Sequence, residues 1–256
     1  MRSGCVESDE GRGTRNSDPR RSRFSPCARD RYVAGLTTRV EQSGGSVSIE
    51  AVVFDFGGVF TSSPFTGLHA WHVERGNDPA AGLRSVFGPY DQDTDHPWHR
   101  LERGEIALEA AAEQIKVIAA EEGMDLDLRE MFGALGGENG ARTDVVELGL
   151  DLRARGYRTA LVTNNIKEFS DGWRAMIPVD ALFEVVIDSS AVGIRKPNPL
   201  IYTMALDQLG VAAENSVFLD DAVGNIDAAR AVGMHAILVE DDHTKAFTEL
   251  DLLLRS

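Results

Sequence analysis

Chemically capable side chains follow several short apolar runs of this chain. Asp55 comes directly after the run Ala51–Phe54 and is followed by Phe56 and the pair Gly57-Gly58. Such a run is typical of a buried central strand, and open α/β sheets bind ligands at the carboxyl ends of these strands. Thr163-Asn164-Asn165 and Asp220-Asp221 also follow such runs, whereas Arg195-Lys196-Pro197 opens a predicted helix. Together they predict one site for a phosphate and a metal ion.

The acidic residues can serve as a nucleophile and as ligands of a hard cation. A carboxylate at Asp55 can attack phosphorus and divide hydrolysis into two steps through an aspartyl-phosphate. Asp220 and Asp221 offer the carboxylate oxygens that Mg²⁺ prefers. Because neighbouring side chains of an extended strand point in opposite directions, the two acids are not expected to do the same job. The alternatives are that Asp55 caps a turn and that the acid pair is solvated in a loop.

The ordered set of motifs resembles the haloacid dehalogenase (HAD) superfamily of phosphatases and dehalogenases, over roughly residues 47–256. Within the superfamily, the stretches Val192–Pro199 and Phe218–Asp221 are similar to the phosphatase domain of soluble epoxide hydrolase and to related acyl-CoA dehydrogenase fusion proteins. The resemblance implies that Mg²⁺ is bound by Asp55, the Gly57 carbonyl and Asp221. It implies for Asp220 either a contact through water or an orienting role.

The resemblance also implies roles for the residues around a bound phosphate. Thr163 is expected to donate its hydroxyl, and Asn164 its backbone N–H, to phosphoryl oxygens. Lys196 is expected to neutralise the nucleophile and the charge that develops on the phosphoryl group. Gly57-Gly58 lets the backbone approach a phosphate and adopt positive φ, and Asn225 could orient the metal ligands. Helix capping by Thr163, an exposed charge at Lys196 and a tight turn at the glycines are the alternatives.

One position departs from the family pattern. Typical phosphatases of the superfamily carry a second Asp two residues after the nucleophile, where it acts as general acid and base, whereas this chain has Gly57. Such catalysis contributes about 10²–10⁴ in rate. Three hypotheses follow. In the first, the chain is a phosphatase whose leaving groups need little protonation or whose general acid comes from a cap. In the second, it is a dehalogenase-like hydrolase, although dehalogenases lack the metal-binding acid pair. In the third, it is a catalytically weak phosphate-binding or regulatory module.

Strand-like and helix-like segments alternate in the body of the chain. The alternation predicts an α/β fold with a doubly wound, Rossmann-like parallel sheet. Strands are expected near 50–55, 158–163, 184–188, 216–220 and 235–239, and helices near 144–155, 167–175, 199–209 and 223–232. Asn198-Pro199 is a favourable helix start, and Gly156, Gly210 and Gly233 stand where glycines end helices.

Roughly a hundred residues separate the first two predicted strands, far more than a βα loop requires. The sequence therefore predicts an α-helical cap over residues 65–141, inserted into an α/β core formed by 47–64 and 142–256. The clearest helix of the cap is Glu105–Glu122.

The cap contains aromatic residues and two histidine pairs. Trp71, Trp98 and Phe65 are expected to pack the cap rather than to stack on a substrate. His69-His72 and His96-His99 have helical i, i+3 spacing. Either pair could contact substrate or supply a proton near neutral pH, although such pairs are more often solvated or capping residues.

The charge distribution restricts the possible partners. The chain has a formal charge of −15. Residues 1–46 hold nine arginines and six acids, or +3, which leaves −18 on the remainder. A body this acidic argues against nucleic acid or an anionic membrane as partner. It is compatible with a small phosphorylated or otherwise anionic metabolite held in a local positive pocket. The sequence predicts no oligomeric state.

Residues 1–46 differ from the rest in composition. They are rich in Arg, Ser, Gly and Asp, which favours a disordered or non-native N-terminal extension. Both cysteines, Cys5 and Cys27, lie there, so thiolate chemistry is excluded from the body. No apolar run approaches the roughly 18 residues of a membrane span or forms a secretory signal, and a cytoplasmic location is expected.

Overall fold

The computed structural model describes residues 48–135 and 140–255, so the predicted extension 1–46 lies outside the described residues. Within them, five parallel strands form one sheet in the order β3-β2-β1-β4-β5. The strands are β1 Ala51–Phe54, β2 Arg158–Thr163, β3 Val185–Asp188, β4 Ser216–Asp220 and β5 His235–Leu238. The predicted doubly wound α/β sheet is confirmed.

The helices divide into two groups along the chain. Five lie between β1 and the helix that leads into β2: α1 Pro64–Glu74, α2 Pro79–Phe87, α3 Pro97–Glu102, α4 Leu108–Glu121 and α5 Leu128–Leu135. The others alternate with the strands: α6 Thr143–Ala154, α7 Ser170–Met176, α8 Val179–Leu182, α9 Ser189–Val192, α10 Pro199–Leu209, α11 Val223–Val232 and α12 Thr244–Leu254. Two 3₁₀ turns are Lys167–Phe169 and Ala213–Asn215.

The central strand of the sheet, β1, lies in the hydrophobic core because all of its residues are apolar. All four residues of β1 are fully buried, as expected for a parallel strand covered on both faces. Phe54 packs its ring 5.6 Å from that of Phe60 and 6.1 Å from that of Phe183. From β1 the chain moves first to β2 on one side and later to β4 on the other. This reversal of strand order creates a crevice at the carboxyl ends of β1 and β4.

Local capping explains where the helices of the core begin and end. Asn198 Oδ1 accepts a hydrogen bond from Leu200 N at 3.1 Å and caps α10, with Pro199 at its first position. At the carboxyl ends of α10 and α11, Gly210 and Gly233 adopt φ of 68° and 101°, conformations that favour glycine. These caps fix the lengths of the helices and therefore the positions of the loops at the crevice.

The helices α1 to α5 share a hydrophobic cluster that includes Leu68, Val86, Leu101, Ile115 and Met131. The described residues between β1 and α6 contain no strand. The predicted helix over 105–122 corresponds to α4, which begins three residues later. The proposed cap boundaries, 65–141, remain a prediction. No helix among the described residues combines the length and apolar character needed to cross a bilayer.

Candidate active site

The carboxyl ends of β1 and β4 bring three acidic side chains together. The register pairs Phe54 with Leu219, so Asp55 and Asp220 leave the sheet side by side. Carboxylate oxygens of Asp55, Asp220 and Asp221 all lie within 4.8 Å of one another. At this spacing, one hard cation can take oxygen ligands from several carboxylates.

Lys196 reaches the acid cluster from the loop between α9 and α10. Its Nζ is 2.8 Å from Asp55 Oδ1 and 2.7 Å from Asp220 Oδ2, and its side chain is fully buried. The side chain of Asn164 holds the backbone of the lysine. Lys196 N donates to Asn164 Oδ1 at 2.8 Å, and Asn164 Nδ2 donates to the Lys196 carbonyl at 3.0 Å. Sequence reasoning considered only the backbone N–H of Asn164 and missed this role of its amide.

The two acids of the pair have different partners. Besides the lysine, the fully buried Asp220 accepts hydrogen bonds from Ala222 N at 2.8 Å and from Asn225 Nδ2 at 3.0 and 3.1 Å. Asp221 is half-buried and accepts one from Ser63 Oγ at 2.7 Å. Asp221 is therefore the freer of the two to contact a cation, while Asp220 is tied to the lysine and to Asn225.

The crowding of acids shifts their pKa values. Burial raises the pKa of Asp55 to about 8; Lys196 opposes this shift, and Asp220 and Asp221 add to it. Burial raises the pKa of Asp221 to about 6; the charge of Asp220 adds to this shift, and the hydrogen bond from Ser63 opposes it. Burial acting alone would lower the pKa of Lys196, but Asp220 and Asp55 outweigh it and the pKa is raised. One lysine thus faces three acids, and a divalent cation among them would favour their ionised forms.

The loop after β1 uses its two glycines differently. Gly58 has a φ of +73°, and a Cβ atom there would lie 2.1 Å from Asp221 Oδ2, so a larger residue would displace that carboxylate. Gly57 does not adopt positive φ, and the expectation of positive φ at both glycines is wrong for it. A Cβ at Gly57 would meet only Pro64, at 4.0 Å. The site therefore has space for a side chain where the family pattern has an acid.

Two other residues complete the core side of the site. Arg142 Nη1 donates to the Gly58 carbonyl at 2.9 Å and holds the loop after β1, a contact that spacing along the chain did not reveal. Thr163 ends β2 and lines an open groove of about 480 Å³ together with Gly57 and Asn164. No side-chain hydrogen bond of Thr163 is found within the described ranges, so its hydroxyl is available to a ligand.

A cavity of about 250 Å³ lies between the acid cluster and the helices α1 to α5. Asp55, Gly57 and Asp221 line it from the core. Most of its remaining lining is apolar or aromatic: Pro64, Phe65, Leu68, Phe87, Tyr90, Trp98, Phe132, Ile166 and Phe169. Phe65 and Trp98 also pack within the helical segment, as expected, but the prediction that they only pack there is incomplete. Trp71 packs in the cluster of α1 to α5 and is not part of this lining.

The first histidine pair does not share one environment. His69 is exposed, whereas His72 is fully buried with its ring 5.0 Å from that of Trp71. A Cβ at Gly82 would lie 2.3 Å from the His72 ring, which shows how closely α2 packs there. Neither histidine lines the cavity.

The second histidine pair stabilises the start of α3. His96 Nδ1 accepts from Trp98 N at 3.2 Å, and His99 Nδ1 accepts from Thr94 N at 3.0 Å. Burial lowers the pKa of His99 to about 3, with the charge of Arg195 adding to the shift, so this ring is neutral at pH 7. Neither histidine lines the cavity, and the hypothesis that either pair supplies a proton at neutral pH finds no support.

A buried ion pair connects the helical segment to the core. Arg195 Nε lies 2.7 Å from Glu102 Oε2, and the two side chains are 0% and 3% exposed. Arg195 Nη1 also donates to the Gln92 carbonyl at 2.6 Å, and its guanidinium carbon lies 5.1 Å from the centre of the Tyr90 ring. Glu102 and Tyr90 both line the cavity. Sequence reasoning missed all of these contacts, because Glu102 and Arg195 are 93 positions apart.

The chain is similar to known proteins over most of its length. The family model of haloacid dehalogenase-like hydrolases matches residues 49–233. The chain belongs to this hydrolase family. It is 32% identical over 228 residues to acyl-CoA dehydrogenase family member 10 of Mus musculus, covering 88% of this chain and 20% of that protein. It is 30% identical over 217 residues to bifunctional epoxide hydrolase 2 of Sus scrofa, covering 80% of this chain and 39% of that protein. The HAD-like chain thus spans well under half the length of these two relatives.

Other relatives are closer in length. A sesquiterpene phosphatase of Aspergillus oryzae is 27% identical over 199 residues, which cover 76% of this chain and 91% of that protein. A HAD-like family hydrolase from Porphyromonas gingivalis has a similar structure, with a TM-score of 0.58 at 21% identity over 81% of this chain and 98% of that one. A HAD family enzyme from Bacteroides thetaiotaomicron, in complex with magnesium and inorganic phosphate, has a TM-score of 0.53 at 18% identity, over 76% and 96% of the two chains. At these identities the structural likeness shows the fold.

Proposed function

We propose that this HAD-like hydrolase releases inorganic phosphate from a small phosphomonoester, with Mg²⁺ as cofactor and Asp55 as nucleophile. The observation that carries the proposal is the cluster of Asp55, Asp220 and Asp221 within 4.8 Å beside the buried Lys196. A carboxylate that displaces a halide requires no neighbouring acids, and like charges at this distance oppose its ionisation. A divalent cation bound among the acids removes that repulsion and attracts phosphate oxygens, which favours the phosphatase over the dehalogenase-like alternative.

The contacts of Asp55 suit an attack on phosphorus. Its Oδ1 accepts from Phe56 N at 2.7 Å and lies 2.8 Å from Lys196 Nζ, which orients the carboxylate and leaves Oδ2 to attack. A bond forms between Oδ2 and phosphorus while the bond from phosphorus to the organic oxygen breaks, and the organic group leaves as an oxyanion that takes a proton from solvent water. A second water then attacks the phosphorus of the aspartyl-phosphate and loses a proton to solvent, which releases inorganic phosphate and restores the Asp55 carboxylate.

The surrounding residues stabilise charge and hold the phosphoryl group. Lys196 balances the negative charge of Asp55 and of the phosphoryl oxygens. Thr163 donates its hydroxyl, and Asn164 its backbone N–H, to those oxygens, while the loop at Gly57-Gly58 approaches them closely. Asp55, Asp221 and the Gly57 carbonyl would hold Mg²⁺, with Asp220 as the orienting acid; the ion would neutralise the phosphoryl oxygens.

The cavity and Gly57 together indicate the preferred substrate. Because Gly57 supplies no acid, we infer a preference for leaving groups that need little protonation. The aromatic walls of the cavity support an apolar organic group rather than a sugar, since burying hydroxyl groups against apolar walls without partners is unfavourable. The existence of a sesquiterpene phosphatase among the relatives is in line with this inference.

The proposal is tested by phosphate release from p-nitrophenyl phosphate and a panel of phosphorylated metabolites, with Mg²⁺ and with EDTA. We expect turnover that requires Mg²⁺ and that Asp55→Asn abolishes without altering the fold. Asp78→Asn is the matched control, because Asp78 caps α2 at an exposed position and asparagine caps equally well. Undiminished phosphate release by Asp55→Asn would overturn the mechanism.

The absence of an acid at residue 57 also favours a second candidate, a phosphate-binding or regulatory module with little turnover. Beryllofluoride and vanadate, which resemble phosphoryl groups, separate the two functions. Metal-dependent binding of either probe, combined with no phosphate release from any substrate, would favour the module.

A further inference from the structure

We propose that Glu102 is a specificity residue that accepts a hydrogen bond from a hydroxyl or ammonium group on the organic part of the substrate. The inference rests on the proposed phosphatase function and adds the chemistry of the group that leaves. The organic group of the substrate is mainly apolar and carries one hydrogen-bond donor, and Glu102 binds this donor away from the phosphate.

Glu102 has one oxygen engaged and one oxygen free. It is the last residue of α3 and lines the cavity, yet its side chain is only 3% exposed. Its Oε2 accepts from Arg195 Nε at 2.7 Å. In the part of the chain that the structure describes, no hydrogen bond to Oε1 is found. Oε1 is not among the fully buried polar atoms that lack a partner, so its small exposed area faces the cavity, where a donor on the bound substrate can reach it and replace water.

The neighbours of Glu102 restrict what the donor can belong to. The amide of Asn164 is used on Lys196, and Asn165 Oδ1 accepts from Ile166 N at 2.7 Å. On the side of the helices α1 to α5, the only side-chain oxygens that the described residues contribute to the lining are those of Glu102 and Tyr90, beside the indole N–H of Trp98, which is buried without a partner among those residues. An ammonium or hydroxyl on an apolar body fits this arrangement, because aromatic faces also attract cations.

The pairing with Arg195 suits Glu102 to accept rather than to transfer protons. An ionised carboxylate has acceptor sites only, and its hydrogen bonds are stronger than those between neutral groups. Glu102 is thus assigned to binding.

The test compares alkyl phosphates with their ω-hydroxy and ω-amino counterparts over four to eight carbons. At one chain length or more, we expect kcat/KM of the native enzyme to be at least about tenfold higher for a counterpart with a donor. Glu102→Gln keeps an oxygen for Arg195 but presents an amide N–H₂ to the cavity, so it should bring that ratio to about one. A general loss caused by the weakened pair with Arg195 would lower kcat/KM for plain and donor-bearing substrates alike and leave their ratio unchanged, so a change in the ratio is a result that a merely structural role would not give.

Asp93→Asn is the matched control. Asp93 pairs with Arg103 and accepts from Asn198 Nδ2 at 3.4 Å, so it also connects the helical segment to the core, but it does not line the cavity. This variant should keep the preference of the native enzyme. A ratio near one in the native enzyme at every chain length, or an unchanged ratio in Glu102→Gln, would overturn the proposal.

A binding measurement keeps the test independent of turnover. If no substrate releases phosphate, p-nitrophenyl phosphate included, the proposed function fails. Calorimetry with alkylphosphonates and ω-aminoalkylphosphonates, whose P–C bond is not hydrolysed, then still tests Glu102. We expect the amino compounds to bind at least about tenfold more tightly, and Glu102→Gln to remove the difference; equal affinities in the native protein would overturn the proposal.

Discussion

Replacing Glu102 by leucine should destabilise the protein more than replacing Arg195 by methionine, although both changes break the same ion pair. Glu102→Leu leaves a guanidinium with 0% side-chain exposure, whose Nη2 already has no hydrogen-bond partner. Breaking a buried pair in this way costs about 3–5 kcal/mol. Arg195→Met leaves a carboxylate that lines a cavity of about 250 Å³. Although most of the lining is apolar, Asp55, Asp221 and the carboxylate of Glu102 itself offer polar partners to water that enters the cavity, so we expect a cost of about 1–3 kcal/mol.

The double variant distinguishes this reasoning from a simple loss of packing. Leucine beside methionine is an apolar pair of similar volume, and such replacements of buried ion pairs are often neutral or stabilising. We therefore expect the double variant to be more stable than Glu102→Leu alone, with a coupling free energy of about 2 kcal/mol or more.

Urea unfolding followed by circular dichroism and by tryptophan fluorescence measures these free energies. Glu109→Leu is the matched control, because its partner Arg129 lies 3.9 Å away and both side chains are more than two-thirds exposed; it should change stability by less than about 0.5 kcal/mol. Strictly additive effects of the two single changes, or a Glu102→Leu cost no larger than that of the control, would refute the argument.

Three further predictions concern the loop after β1 and the pH dependence of stability. Gly57→Asp, for which the structure has space, should raise kcat/KM for alkyl phosphates at least about tenfold more than for p-nitrophenyl phosphate; equal gains would mean that the missing acid is replaced elsewhere. Gly58→Ala should displace Asp221, lower Mg²⁺-dependent phosphate release about a hundredfold and destabilise the fold by about 1–2 kcal/mol; retention of full turnover would contradict the predicted role of that carboxylate. Since the pKa of His99 falls from 6.5 to about 3 on folding, the unfolded chain binds more protons between these values, and stability should decrease as pH falls through this window. The loss of stability due to His99 approaches about 1.4 kcal/mol per pH unit well below pH 6.5. Chemical unfolding of the native protein and of His99→Gln at pH 7 and pH 5 measures this loss, and we expect it to be smaller in the variant. Identical losses in the two proteins would show that His99 does not titrate on unfolding.

The parts of the fold that could be predicted from sequence are those fixed by local pattern. The strands were identified because a parallel strand covered on both faces is a continuous apolar run, as at Ala51–Phe54. The start of α10 follows from the capping side chain of Asn198, and the carboxyl ends of α10 and α11 follow from Gly210 and Gly233, which can adopt positive φ. All three effects act within a few residues along the chain. The acid cluster could be anticipated because polar residues directly after parallel strands meet at one edge of the sheet.

The contacts that escaped prediction join segments far apart in the chain. The Asn164 amide on the Lys196 backbone, and Glu102 on Arg195, depend on how a loop or a helix docks, and no local periodicity encodes that docking. His96 precedes α3 as its N-cap and His99 lies within the helix, but the burial of both rings, and hence the pKa of His99, depends on packing around α3. Sequence spacing alone could not separate a packed histidine from a reactive one.

Arg195 and Lys196 are consecutive, yet they serve different parts of the molecule: the first is bound to an acid of α3, the second to the acids of the sheet. Exchanging the helical segment for that of another family member is therefore not a modular operation. A transplanted segment without a carboxylate at the place of Glu102 would leave a buried cation unmatched one residue from the lysine of the acid cluster. Chimeras built on this core should carry residue 195 with the helices, so that the boundary of the exchange includes one position far outside the inserted stretch.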